Sequence, residues 1–378
     1  MKNEFTGRFA GKNLIFITAE GFSSYAVDPE LTPTLYKLAN SGFVFSNFYN
    51  PLWWVSTSDG EYAACTSLIP KPGVWSFYQS RNNDMYFCLG NQFSRLGYNP
   101  RAYHNHTWSY YNRDLSHPNM GYDYKGLGKG LPVKKTWPES DLEMMELSLP
   151  EYINDVPFHT YYMTVSGHMN YTFMGNSMSK KHQQEVSHLS LSEPARAYLA
   201  CQMELDRALA YLLEELEAAG QLENTVIALS ADHYPYGLEK ESIDELAGHS
   251  VEEKFELYRS TLILWSGDMT EPVVIDKPCD SLDILPTLSN LFGLPYDSRL
   301  LMGQDILSDS PGLVVFSDRS FLTKWGSYNA ATDTFTPTGG ASLPEGYALG
   351  VARSVQDMFA YSVKILERDY YGRLGLPQ

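Results

Sequence analysis

Between Asn13 and Gly293, short runs of β-branched, aromatic and aliphatic residues alternate with longer stretches whose apolar positions recur at helical spacing. Few architectures accept that order. NLIFITA (13–19), FHTYYMTVSG (158–167), NTVIALSA (224–231) and YRSTLILWS (258–266) read as strands, with another expected around Asn99–Tyr103. The intervening LTPTLYKLANSG, closed by Gly42, DMYFCLGNQFSRLGY and SLDILPTLSNLFG read as helices. A long helix is expected from a Ser192 cap, with Pro194 in its first turn, to a stop at Gly220. Strands that are apolar throughout and separated by helices form a mostly parallel sheet covered on both faces, an α/β fold. After Leu301 the texture changes to short strand-like pieces and turns, then an amphipathic helix near Ser354–Arg368. We expect an α/β domain over residues 1–300 and a small C-terminal α+β subdomain, packed on it, over 301–378.

The net charge of −17 and the lack of any Lys/Arg run argue against a nucleic-acid partner, which requires a basic face. No run of 18 apolar residues occurs, and the N-terminus lacks the apolar core and cleavage site of a signal peptide. The four cysteines, Cys65, Cys88, Cys201 and Cys279, lie far apart without a C-x-x-C, so they read as small buried apolar residues.

Chemistry in such a sheet gathers beyond the carboxyl ends of the strands. Those ends deliver Glu20, His168 and the pair Asp232-His233. A separate stretch, WWVSTSDGEYAACTSLIP, puts Ser56-Thr57-Ser58 at the mouth of a helix whose apolar positions include Tyr62, Ala63 and Cys65. Ser58-Asp59-Gly60-Glu61 has the form of a capping box, a purely structural reading. A helix N-terminus also collects N–H groups and a positive dipole end, which suits a phosphate or sulfate under attack. Carboxylates, an imidazole and a hydroxyl together are what a divalent cation in a phosphoryl-transfer site requires.

The order Glu20, Thr57, Asp232-His233 resembles the lipoteichoic acid synthase family of phosphoglycerol transferases, within the alkaline phosphatase and sulfatase superfamily. The family's T-S-D-S-E motif stands here as Thr57-Ser58-Asp59-Gly60-Glu61, departing at Gly60. Its His followed by W-N-R is matched by His104 and Tyr111-Asn112-Arg113, with Tyr in place of Trp. The GYD at 121–123, His168 at the substrate-histidine position and SLDILPTLSNLFGLP also fit.

The resemblance implies a sulfatase-like catalytic domain in which Glu20, Thr57, Asp232 and His233 hold one divalent ion. Mn2+ is the expected ion, and the donor set also suits Zn2+ or Mg2+. It makes Thr57 the nucleophile, His168 the proton carrier, and His104, Tyr111, Arg113 and His168 the substrate-binding residues. Arg113 offers a planar fork to phosphate oxygens and Tyr111 a surface for the glycerol. The implied donor is a phosphatidylglycerol-type lipid, the acceptor a glycerol or glycan hydroxyl, and the place of work the extracellular face of a membrane. An upstream membrane anchor is expected with it. Three alternatives stand beside this reading. A phosphoethanolamine transferase would use His168 and His249 for a second metal. A phosphodiesterase or phosphatase of the superfamily would pass the group to water. A non-catalytic lipid- or polymer-binding module would keep only the pocket. A sulfatase is disfavoured, because CTSLI after Cys65 lacks the Pro and Arg of C-x-P-x-R.

Overall fold

The computed structural model describes residues 2–340 and 343–377. Its centre is a sheet of nine strands. In spatial order they are Val273–Ile275, Phe43–Phe45, Ile263–Ser266, Thr225–Ala231, Asn13–Ala19, His159–Met163, Arg101–Thr107, Asp123–Leu127 and Gly130–Leu131. All neighbours run parallel except Ile263–Ser266, which is antiparallel to both of its partners. Every residue of the central strand Asn13–Ala19 is buried.

That burial follows from the two-residue period of a strand. Ile15, Ile17 and Ala19 enter one core with Leu205, Leu209 and Leu212 of the helix Glu193–Ala218. Leu14 and Phe16 enter another with Tyr62 of the helix Ser56–Thr66 and Leu285 and Leu288 of the helix Ile284–Leu291. The fold is the expected α/β, with helices on both faces. The long helix is capped as read, Ser192 Oγ accepting from Ala195 N, and Gly220 follows its end at φ 66°. Gly42 follows the helix Pro33–Ser41 for a different reason from the one expected: its φ is −111°, and a Cβ there would lie 2.4 Å from the Leu264 carbonyl oxygen.

Toward the C-terminus, Leu313–Val315, Phe321–Thr323, Gly326–Asn329 and Thr334–Pro337 form an antiparallel sheet of four strands. The last long helix, Tyr347–Arg368, starts seven residues before the expected Ser354. Val315, Phe321, Val355 and Phe359 share a third core with Trp53, Ala63 and Ile69, and Ile69 N donates to Ser362 Oγ at 3.0 Å. The small sheet and helix thus brace the segments flanking Thr57. The four cysteines are free and buried. Among the described residues, no helix is long and apolar enough to cross a membrane.

Candidate active site

Glu20 directly follows the strand Asn13–Ala19, and Asp232-His233 directly follow its neighbour Thr225–Ala231. Parallel pairing therefore brings these three buried side chains to one sheet edge, with ligand atoms within 4.8 Å of one another. His233 Nδ1 lies 2.9 Å from the Tyr234 carbonyl, an arrangement that puts the ring proton on Nδ1 and leaves the Nε2 lone pair free. Asp232 Oδ1 accepts from Gly21 N and His233 N at 2.9 and 2.8 Å. Asp232 Oδ2 lies 3.1 Å from His233 Nε2 without forming a hydrogen bond, and it is a buried oxygen with no other partner among the described residues. Burial, then the neighbouring Asp232, pushes the Glu20 carboxyl well above its ordinary value. An orphaned buried oxygen, an imidazole with a free lone pair and a second buried carboxylate fit a divalent cation, whose charge would relieve the crowding.

Thr57 completes the group. Its Oγ1 is 3.2 Å from Glu20 Oε2 and 3.2 Å from His233 Nε2. It stands in the first turn of Ser56–Thr66, entered through Ser56 at φ 29°, a left-handed conformation that a non-glycine residue adopts at some energetic cost. The capping box expected at Ser58 and Glu61 does not form. Val55 is the N-cap, no side chain caps the helix, and buried Ser58 Oγ has no partner among the described residues. Asp59 instead reaches back to accept from Val55 N at 2.9 Å, and burial pushes its carboxyl up to about 7.

Glu61 turns inward. It accepts from Arg113 Nε at 2.9 Å and Tyr161 OH at 3.0 Å, and lies 2.9 Å from His117 Nε2. Burial acts to raise its carboxyl, but Arg113 and His117 prevail and hold it at about 2. Arg113 is fully buried, with Nη1 3.2 Å from His104 Nε2 and Nη2 left without a partner among the described residues. His104 Nδ1 lies 2.9 Å from the Met163 carbonyl, so both of its nitrogens are engaged by protein; burial, then Arg113, keeps it well below its ordinary value and neutral. Tyr111, at φ 55°, lays its ring 5.4 Å from the Arg113 guanidinium.

His168 ends the loop that follows the strand His159–Met163. Buried Asp141 holds that loop, accepting from Val165 N at 3.0 Å, Ser166 N at 3.1 Å and the Ser166 hydroxyl. His168 Nδ1 lies 2.6 Å from the Met169 carbonyl, which leaves Nε2 available, and burial keeps the ring below its ordinary value. His249 is exposed and pairs with Glu256 at 2.6 Å, outside the Glu20-Asp232-His233 group. Local sequence pattern singles out Glu61 as a capping and motif residue but not as the partner of Arg113, and it does not reveal His117 or Asp141.

Gly60 permits the close approach of the helix to the sheet edge, since a Cβ there would lie 2.0 Å from the Asp232 carbonyl oxygen. Alanine inside a helix ordinarily stabilises by about 0.5–1 kcal/mol relative to glycine. Here the sign should reverse. Gly60→Ala is expected to destabilise by about 1–3 kcal/mol, the usual range for overpacking, measured by denaturant unfolding. A variant as stable as the parent would show that this contact relaxes freely.

The Sulfatase family matches residues 12–294. The lipoteichoic acid synthase-like protein YvgJ of Bacillus subtilis is 23% identical over 380 residues, covering 96% of this chain and 61% of that protein. Lipoteichoic acid synthase 1 of the same organism is 25% identical over 354 residues, covering 85% of this chain and 52% of that protein. The chain thus spans little more than half of these relatives. The crystal structure of the lipoteichoic acid synthase LtaP from Listeria monocytogenes superposes with a TM-score of 0.77 at 22% identity, covering 99% of this chain and 95% of that one. With the family match extending over well more than half its length, the chain belongs to the Sulfatase family.

Proposed function

We propose that the protein transfers a phosphoglycerol unit from a phosphatidylglycerol-type lipid to a hydroxyl of glycerol or a glycan, through a covalent phosphoglycerol-Thr57 intermediate. The observation that carries this reading is the Thr57 hydroxyl, 3.2 Å from both Glu20 and His233 at the first turn of a helix. The names of the lipoteichoic acid synthase relatives support it. A divalent ion, Mn2+ in the first instance, held by Glu20, Thr57, Asp232 and His233, supplies charge neutralisation and acidifies the hydroxyl.

The rest is the work of the chain's own residues. The ionised Thr57 oxygen attacks phosphorus in line; the Oγ–P bond forms and the bond from phosphorus to the diacylglycerol oxygen breaks. The fraction of His168 that carries a proton on Nε2 gives it to that departing oxygen. In the second step the acceptor oxygen attacks phosphorus, its proton returns to His168, and Thr57 is released as it began. Arg113 Nη2, buried and otherwise unpartnered, is the donor for a phosphoryl oxygen. His104 contributes by positioning Arg113, and Tyr111 packs against the glycerol. The site works at the outer face of a membrane beside its lipid, the chain being the extracellular part of an anchored protein.

Formylglycine sulfatase chemistry has no support at Cys65, which lies in the core beyond the active turn with its thiol pushed well up by burial. The two-metal phosphoethanolamine reading is weakened by exposed, Glu256-paired His249. Metal-stripped protein incubated with a fluorescent phosphatidylglycerol should release diacylglycerol only after Mn2+ is restored. Asp232→Asn should fold, bind less metal and lose turnover. Full turnover by stripped protein, or preferential cleavage of an aryl sulfate, would contradict the assignment.

A further inference from the structure

Six aromatic rings touch one another in series, a line of contacts that ends at His168. Trp75 meets Tyr111 at a centroid distance of 5.4 Å, and Tyr111 meets Tyr110 at 4.5 Å. Tyr110 meets His106 at 5.3 Å, His106 meets Trp137 at 5.2 Å, and Trp137 meets His168 at 4.7 Å. The line touches the proposed chemistry twice, at Tyr111 beside Arg113 and at His168, the proposed proton carrier. Rings that serve only as core lose their faces to neighbours. Trp75, Tyr110 and Trp137 instead leave 46%, 48% and 40% of their surfaces in solvent.

The middle of the line carries a polar group that phosphoryl transfer leaves unused. The parallel register between Arg101–Thr107 and Asp123–Leu127 shifts between His104 and Thr107, the kind of irregularity that re-aims a side chain. His106 Nδ1 lies 3.2 and 3.1 Å from the two oxygens of Glu139. Glu139 is fully buried, and among the described residues its carboxylate has no other partner. A buried carboxylate spent on one imidazole holds a proton on Nδ1 and leaves Nε2 uncommitted, on a ring that is itself partly exposed.

We propose that this line is the acceptor subsite and that it takes a neutral, polyhydroxylated glycan. Sugar C–H faces stack on Trp75, Tyr110 and Trp137, and His106 Nε2 accepts from a sugar hydroxyl. The inference rests on the phosphoglycerol-transfer reading, which requires a hydroxyl acceptor beside His168. Charge selects the occupant. Among the described residues the cation packed over any of these rings is Arg113, which is buried; exposed Lys134 and Lys135 precede Trp137 in sequence without lying over a ring, and the chain carries −17 overall. A chain of phosphates or an anionic bilayer surface would call for Lys and Arg along the line. A neutral glycan needs stacking faces and a fixed acceptor.

The test is direct binding to the full chain, followed by tryptophan fluorescence and calorimetry. The probes are neutral oligosaccharides of glucose, galactose, rhamnose and N-acetylglucosamine, from disaccharide to hexasaccharide. Beside them run poly(glycerol phosphate) and phosphatidylglycerol vesicles. At least one neutral series should bind saturably, tighten with chain length and ignore added salt. Trp75→Ala and Trp137→Ala should each weaken it about tenfold or more, with Trp75→Tyr recovering most of the loss. If Trp137→Ala does not fold, Trp75→Ala at the opposite end decides. Binding should persist in Thr57→Ala, so a missing adduct on Thr57 and a missing glycan are separate failures. Absence of binding to every neutral series, or binding of the polyanion or vesicles through the same tryptophans in their place, would overturn the proposal.

Discussion

Thr57→Ala is expected to lower head-group release by several powers of ten while leaving stability within about 1 kcal/mol of the parent, since no neighbouring group replaces a covalent step. The geometry separates this outcome from the loss of a helix cap. An N-cap hydroxyl accepts from the helix N-terminus, and its removal costs about 1 kcal/mol of stability without harming chemistry. Thr57 lies inside the first turn, and the cap position is Val55, whose side chain makes no capping bond. Its hydroxyl faces Glu20 and His233 instead. Thr57→Ser keeps the oxygen but loses the methyl group that restricts its rotamer, so partial activity is expected. Ser58→Ala should retain activity and, because the Ser58 hydroxyl is buried without a partner among the described residues, should change stability little. Robust release by Thr57→Ala would return the stretch to a structural role.

The second large effect is expected at Glu61. Glu61→Gln leaves the fully buried Arg113 without its counter-charge, and breaking a buried pair in this way costs about 3–5 kcal/mol. Activity should fall as well, because a neutral amide with one oxygen orients the Arg113 fork less firmly than the carboxylate does. The sign of the pH dependence follows from the carboxyl being held at about 2 in the fold, below its ordinary 4.5. Its stabilisation is complete above pH 4.5 and lost as pH falls through about 2. The size is on the order of 3 kcal/mol. Glu204, also held at about 2 with His182 and Lys181 nearby, titrates in the same window. The parent should therefore weaken steeply there and Glu61→Gln less so, measured by urea unfolding at a series of pH values. An equally steep acid limb in the variant would remove Glu61 from the account.

Glu61 also shows where the sequence misleads. A hydroxyl followed three residues later by Glu has the same spacing whether the Glu caps its own helix or crosses the core. The partner that decides, Arg113, lies 52 positions away. Asp141 is silent for the same reason: its bonds to Val165 and Ser166 span more than twenty positions. Glu20, His168 and Asp232-His233 were legible because they follow apolar strands, and parallel strands present their ends on one side. Gly42 does stop its helix, and the cause is its close approach to Leu264. The start of the last helix was missed because Gly346 and Gly350 interrupt the segment where it begins. The line from Trp75 to His168 draws on five separate segments, so no local window contains it.

The central claim is a covalent phosphoglycerol on Thr57, and intact-protein mass after incubation with phosphatidylglycerol and Mn2+ in the absence of acceptor tests it most directly. The expected result is a mass increase of one phosphoglycerol unit, mapped by peptide fragmentation to Thr57, absent in Thr57→Ala and discharged when a glycan or glycerol acceptor is added. Diacylglycerol release with no adduct at any stage, or an adduct mapped to Ser58, would contradict it.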